Sequence, residues 1–225
     1  MKIPKHIFLA GGGSEEESRG LDERFAAFLD ATKPLVYVPH AMLRERHASC
    51  FRWFSSMAEP LGIRNIRMLG ALSEFSPREI SKISGIFMGG GNTARLREAL
   101  WKSGFAKVIQ DAVAAGMPVY GGSAGAIVLG ADIRTAPEAR GVPECRASGL
   151  DLLGGRSVAC HYTHRQEPKF RRLAVEWGRD IVAIPESAGL HFSDGRITNC
   201  GNAPVALFGK DGSFAVLDPL RSLDI

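Results

Sequence analysis

Several large classes are excluded by what the 225-residue chain does not contain. Its four cysteines, Cys50, Cys145, Cys160 and Cys200, make no C-x-x-C pair. Neither a zinc site nor a disulfide framework is therefore indicated, and reduced thiols in a cytoplasm are expected. No apolar run approaches the roughly 20 residues that span a bilayer, so no membrane partner is expected. The N-terminal MKIPKHIFLAGGG holds a short apolar patch before its glycines and reads as a first strand, not as a signal peptide. Positive charge is not massed either: the net charge is +4, with arginines interspersed among Glu and Asp, which argues against a nucleic-acid partner. No repeat, low-complexity tract or break in composition marks a boundary, so residues 1–225 are expected to form one α/β domain with a fully buried sheet.

A nucleotide fingerprint is missing as well. Gly11-Gly12-Gly13 follows the first strand, but Glu16 stands where G-x-G-x-x-G needs its third glycine, and no Walker lysine follows. Glu15, Glu16 and Glu17 would repel a phosphate, so the glycines read as a structural turn.

What is present is an alternation of short apolar strands, glycine turns and amphipathic helices. Strands are expected at 6–10, 34–40, 65–69, 85–88, 119–122, 157–161 and 181–184. Ser14 is placed to cap a helix whose buried stripe is Leu21, Phe25, Phe28 and Leu29, and 41–58 reads as another helix. Ser76-Pro77-Arg78-Glu79 is a capping box opening a short helix. After Gly89-Gly90-Gly91-Asn92 a helix carries Leu96, Ala99 and Leu100. Ser103 then caps one with Phe105, Val108, Ile109, Ala112 and Val113 at i, i+3, i+4, i+7 and i+8. Residues 136–155 read as a long irregular loop, and 168–177 as a helix closed by Gly178. Hairpins around Asp194-Gly195 and Asp211-Gly212 make the C-terminal part antiparallel β. Strands alternating with helices predict a mostly parallel sheet covered on both faces, with sites at the carboxyl ends of its strands.

The stretch with the most chemistry in it is Val119–Gly130, VYGGSAGAIVLG. A buried strand that reverses into a helix within one residue strains that residue and leaves room only for hydrogen or methyl around it. Gly121, Gly122, Ala124, Gly125 and Ala126 meet that demand and put the Ser123 hydroxyl at the apex, the G-x-S-x-G layout of a nucleophile elbow. A serine hydroxyl needs a base, and the base needs a partner that fixes its tautomer. Among the histidines, His6 and His47 read as structural, while His40, His161, His164 and His191 lie near strand or loop ends. His161, ending an apolar strand before a polar loop, is the most attractive base. Glu186, just past Pro185, is the matching carboxylate, although a surface turn residue would look the same in sequence. Two N–H donors would complete the machinery: Ala124, after the serine, and Gly90 of the glycine loop. Asn92 is placed equally well to bind substrate or to cap the helix after it.

IFMGGGNT at 86–93, GGSAGA at 121–126, IRT at 133–135, HYT at 161–163 and IPE at 184–186 together resemble the peptidase E family, serine aspartyl dipeptidases related to cyanophycinases. The resemblance covers most of the chain from Gly85 to about Phe192. It implies a flavodoxin-like, class I glutamine amidotransferase-like three-layer sandwich with serine in place of the amidotransferase cysteine. It also implies a Ser123–His161–Glu186 triad, no metal or organic cofactor, and hydrolysis of small peptides with an N-terminal aspartate. The aspartate carboxylate would be held by an arginine after the histidine, with Arg165 the nearest match and Arg171 and Arg172 the other candidates. An Asp that the family carries after the IRT segment is replaced here by Glu138. The rival readings are an isoaspartyl or cyanophycin-type peptidase and a non-catalytic amidotransferase-like binding module. Oligomeric state is left open, a homodimer included.

Overall fold

The computed structural model describes residues 5–225; Met1–Pro4, the start of the stretch read as leading into the first strand, lie outside them. The central sheet has eight strands. Five are parallel: β1 (Ile7–Ala10), β2 (Leu35–Val38), β3 (Ile66–Met68), β4 (Gly85–Met88) and β5 (Val119–Gly122). They lie in the order β3-β2-β4-β5-β1. All residues of β1, β2 and β4 are buried, as strands covered on both faces must be.

Helices on the two sides read out the strands' period of two. Phe8, Tyr37, Phe87 and Tyr120 point to one face and pack with Leu21 and Phe25 of α1 (Glu15–Ala26) and Phe54 of α2 (His47–Ala58). Their neighbours Ile7, Leu9, Val36, Val38, Ile86 and Met88 point to the other. That face is covered by α3 (Thr93–Ser103), α4 (Phe105–Ala114) and α5 (Ala124–Leu129). The stripe expected on α4, Phe105 through Val113, is buried at every one of its five positions.

Local capping behaves as the sequence demands, with adjustments. Ser14 and Glu17 form a reciprocal capping box at α1, and Ser76 and Glu79 form another, although the segment it opens, Pro77–Lys82, is a 3-10 helix. Helix α1 ends at Ala26, so Phe28 lies beyond the buried stripe and is exposed. Helix α2 begins six residues later than expected, after a 3-10 turn at Arg44–Arg46, which makes His47 its first residue and not a mid-helix one. Ser103 is the last residue of α3, with its hydroxyl accepting from the Phe105 N–H at 3.3 Å while Gly104 makes the turn.

The C-terminal third departs most from a simple sandwich. Three strands, β8 (Gly189–Ser193), β9 (Arg196–Asn199) and β12 (Ser222–Asp224), extend the central sheet antiparallel beyond β1. A second sheet takes β6 (Ser157–Ala159), β7 (Ile181–Ala183), β10 (Val205–Phe208) and β11 (Phe214–Leu217) in the order β11-β10-β7-β6. One face of it packs on α6 (Glu167–Glu176) through Phe170 and Ala174. On the other, Val158, Val182 and Val205 join the core that holds α5, so all six residues of α5 are buried. The 136–155 loop is irregular apart from short 3-10 turns, yet Ala139, Leu150 and Leu153 anchor it in that core. Among the described residues no helix is long and apolar enough to cross a membrane.

Candidate active site

Ser123 stands between β5 and α5 at φ 48°, ψ −106°, a conformation rare for a residue with a Cβ. The contacts around it explain why its neighbours are so small. A Cβ on Gly125 would collide with the Met88 carbonyl and come within 3.0 Å of the Met88 Cβ, so helix α5 approaches β4 as closely as a backbone can. The Ser123 N–H donates to the Ala10 carbonyl at 3.1 Å and its own carbonyl accepts from the Ile127 N–H at 3.0 Å, which pins the turn at both ends.

His161 reaches the serine from the second sheet. The strand expected over Ser157–His161 stops at Ala159, and Cys160 and His161 continue into a turn where His161 also takes a positive φ, 53°. Its backbone N–H donates to the Gly11 carbonyl at 3.0 Å, tying the turn to the end of β1. The imidazole then spans two partners. Nε2 lies 2.8 Å from Ser123 Oγ and Nδ1 lies 2.8 Å from Glu186 Oε1. An ionised carboxylate can only accept, so it selects the tautomer with hydrogen on Nδ1 and leaves Nε2 free to accept from the serine. The His161 and Glu186 side chains are 49% and 57% exposed, so this relay is open to water.

Gly12 is the residue that makes this contact sterically possible, and the sequence reading of the triglycine as a plain turn missed it. It lies at φ +104°, and a Cβ there would sit 2.7 Å from His161 Nε2 and 3.1 Å from the Ser123 Cβ. Only hydrogen fits beneath the imidazole. Three glycines in a row are the signal, but they carry no mark of what approaches them.

The expected donors lie nearby. Ala124 opens α5, where first-turn N–H groups have no intrahelical acceptor. Gly90 has no backbone acceptor for its N–H among the described residues. A Cβ on it would lie 3.4 Å from the Ser123 Cβ and 4.0 Å from Oγ. Asn92 accepts from the Arg95 N–H at 2.8 Å and so caps α3. Glu138 comes across from the irregular loop to accept from the Thr93 N–H at 2.9 Å, placing a carboxylate at the positive end of the same helix. Arg165 lies exposed in the 3-10 turn His164–Gln166, four residues past the imidazole. Arg171 is engaged with Glu167 at 2.9 Å on α6, and Arg172 lines a surface hollow with Arg140 and Lys169.

Four of the other histidines are packed elsewhere, while His164 lies exposed in the same 3-10 turn as Arg165. His191 stacks on Phe8 at 4.3 Å between ring centres and accepts from Arg24 Nε at 2.8 Å. His6 lies 3.2 Å from it, and His40 faces His47 at 4.9 Å between rings. Cys160, next to His161, donates its thiol to the carbonyls of Ala10 and Ser123, and burial pushes its pKa far up. It is a neutral strut and no rival nucleophile.

The family model of peptidase family S51 matches residues 7–200. The chain is 30% identical over 184 residues to Peptidase E of Shewanella amazonensis, covering 77% of each. It is 26% identical over 204 residues to Peptidase E of Pasteurella multocida, covering 85% of this chain and 84% of the relative. The crystal structure of a peptidase from an acI-B1 Actinobacterium superposes with a TM-score of 0.75 over 100% of this chain and 99% of the other; at 18% identity it speaks for the fold alone. With the family model spanning most of its length and a relative matched over three-quarters of it, the chain belongs to peptidase family S51 and is a serine-type peptidase of the peptidase E kind.

Proposed function

We propose that the protein is a serine exopeptidase that cleaves small peptides, foremost dipeptides with an N-terminal aspartate, through an acyl-enzyme on Ser123. The observation that carries the reading is the unbroken relay from Ser123 Oγ to His161 to Glu186, each link 2.8 Å long. In the first half-reaction His161 Nε2 takes the hydroxyl proton as Oγ attacks the scissile carbonyl. The resulting oxyanion is stabilised by the N–H groups of Ala124 and Gly90, and Glu186 stabilises the imidazolium. Collapse breaks the C–N bond, and His161 passes the proton to the departing amine. Water then repeats the sequence on the ester, releasing the acid and restoring the serine. Arg165, exposed and carrying a planar fork of donors, holds the aspartate side chain at the start of the peptide.

The test is a dipeptide panel varying the first residue, including Asp-Leu and its isoaspartyl isomer, run on wild type and on Arg165→Ala. The reading predicts that Asp-Leu is the better substrate and that Arg165→Ala raises its KM at least about tenfold, in line with the loss of a charge-assisted hydrogen bond. Preference for the isoaspartyl isomer, or an Asp-Leu rate indifferent to Arg165, contradicts the assigned specificity.

A further inference from the structure

A cavity of about 330 Å³ opens beside Ser123 on the α1–α2 side of the central sheet. That size is typical of a compact small-molecule site. Ser123 lies on its rim with Gly12 and Gly90, so whatever fills it is adjacent to the serine. Its floor is the aromatic row of the parallel strands, Tyr37, Phe87 and Tyr120, and its α2 wall is Trp53 and Met57. Phe87 and Tyr120 stack ring against ring at 4.3 Å, so this part of the floor is apolar and closely packed.

The cavity's buried carboxylate is spent, while the Tyr37 hydroxyl and the Cys50 thiol have no hydrogen-bond partner among the described residues. Asp22, on the α1 wall, accepts from the Tyr120 hydroxyl at 2.6 Å and from the Ser18 hydroxyl at 2.7 Å. Each of its carboxylate oxygens thus already accepts from a hydroxyl, and burial pushes its pKa up. Glu15 is exposed, and no lysine, arginine or histidine lines the cavity. A carboxylate entering here would leave water for a site without a cation, close to two acids. A lysine or arginine would have to bury its charge against aromatic rings, beside an Asp22 whose oxygens are already taken by Tyr120 and Ser18 and an exposed Glu15.

We infer that this cavity is the subsite for the residue on the leaving side of the scissile bond and that it selects an apolar or aromatic side chain. This rests on the reading above, in which the first residue is an aspartate held by Arg165, a residue outside the cavity. The preferred substrates are then dipeptides of aspartate followed by Leu, Met or Phe.

The test measures kcat/KM for Asp-Leu, Asp-Phe, Asp-Gly, Asp-Asp and Asp-Lys with wild type, Trp53→Ala and Trp53→Arg. Trp53 is 52% exposed, so both variants spare the core. Wild type is expected to favour Asp-Phe and Asp-Leu over Asp-Gly by roughly 10- to 100-fold, the range set by hydrophobic pockets, and over Asp-Asp by more. Trp53→Ala should lower the Asp-Phe to Asp-Gly ratio at least about fivefold, and Trp53→Arg should raise Asp-Asp relative to Asp-Phe. Equal turnover of all second residues, or wild-type ratios in both variants, overturns the assignment. Labelling of Ser123 by a fluorophosphonate reports on the serine independently of the cavity. If the serine is labelled but no peptide of the series is cleaved, the same peptides are titrated against Ser123→Ala and followed by Trp53 emission, with Trp53→Phe as the blank. Tighter binding of Asp-Phe than of Asp-Asp then sustains the subsite, and equal or absent binding ends it.

Discussion

Two side chains that face each other across the site, Ser123 and His161, both stand at positive φ. Each such residue costs about 1–3 kcal/mol, and here the surrounding hydrogen bonds to Ala10 and Gly11 hold both in place. The consequence falls on Gly12. Gly12→Ala is expected to displace the imidazole and lower kcat at least about a hundredfold, since misplacement by an ångström is enough for that. A crystal structure of the variant would show the Ser123–His161 distance lengthened; an unchanged kcat would mean that the contact is dispensable. Glu186 presents a different balance. Its side chain is more than half exposed, so water can replace part of what it does for the imidazole. Glu186→Gln is therefore expected to lower kcat by roughly a hundredfold, short of the ~10⁴ seen when a buried triad carboxylate is made neutral. Steady-state kinetics on Asp-Leu measures both variants.

At the scale of elements, the loop from Gly89 to Asn92 runs past Ser123 and then caps helix α3. Asn92→Ala removes the cap that accepts from Arg95 and is expected to lower stability by about 1 kcal/mol. If capping is all it does, denaturant unfolding moves while KM for Asp-Leu stays within about twofold; a larger rise in KM would assign it to the substrate as well. Much of this level was legible in the sequence. The cap at Ser14, the capping box at Ser76, the stripe on α4 and the small residues around Ser123 are local signals, and local sterics decide them. What was not legible is pairing. The run Ser157–Ala159 reads the same whether it joins the central sheet or another, and only its parallel pairing with Ile181–Ala183 places it in the second. Nor could the sequence say that Gly12 leaves space for an imidazole, because the imidazole arrives from a residue about 150 positions later.

For the molecule as a whole, burial keeps two histidines neutral. His40 and His191 are both held down to about 4, chiefly by desolvation, with His47 and Arg24 adding to the effect. Unfolding returns each to its ordinary value near 6.5, so between about pH 6.5 and 4 the unfolded chain binds protons that the folded one refuses. Stability is thus full above pH 6.5 and falls on acidification across that window, partly offset by Asp22, whose raised pKa works in the opposite sense. Thermal unfolding followed from pH 7 to 4.5 is expected to show a falling midpoint, with a shallower slope in His191→Phe. A midpoint flat across the window would contradict this.

Everything proposed about the chemistry requires that the hydroxyl of Ser123 be activated by His161. The most direct measurement is covalent labelling by a fluorophosphonate, with the modified residue located by mass spectrometry and residual hydrolysis of Asp-Leu followed alongside. The expected result is stoichiometric labelling at Ser123 alone, loss of hydrolysis in step with it, and labelling slowed at least about a hundredfold in His161→Ala. Hydrolysis that survives in Ser123→Ala, or a labelling rate unaffected by removal of His161, would contradict it.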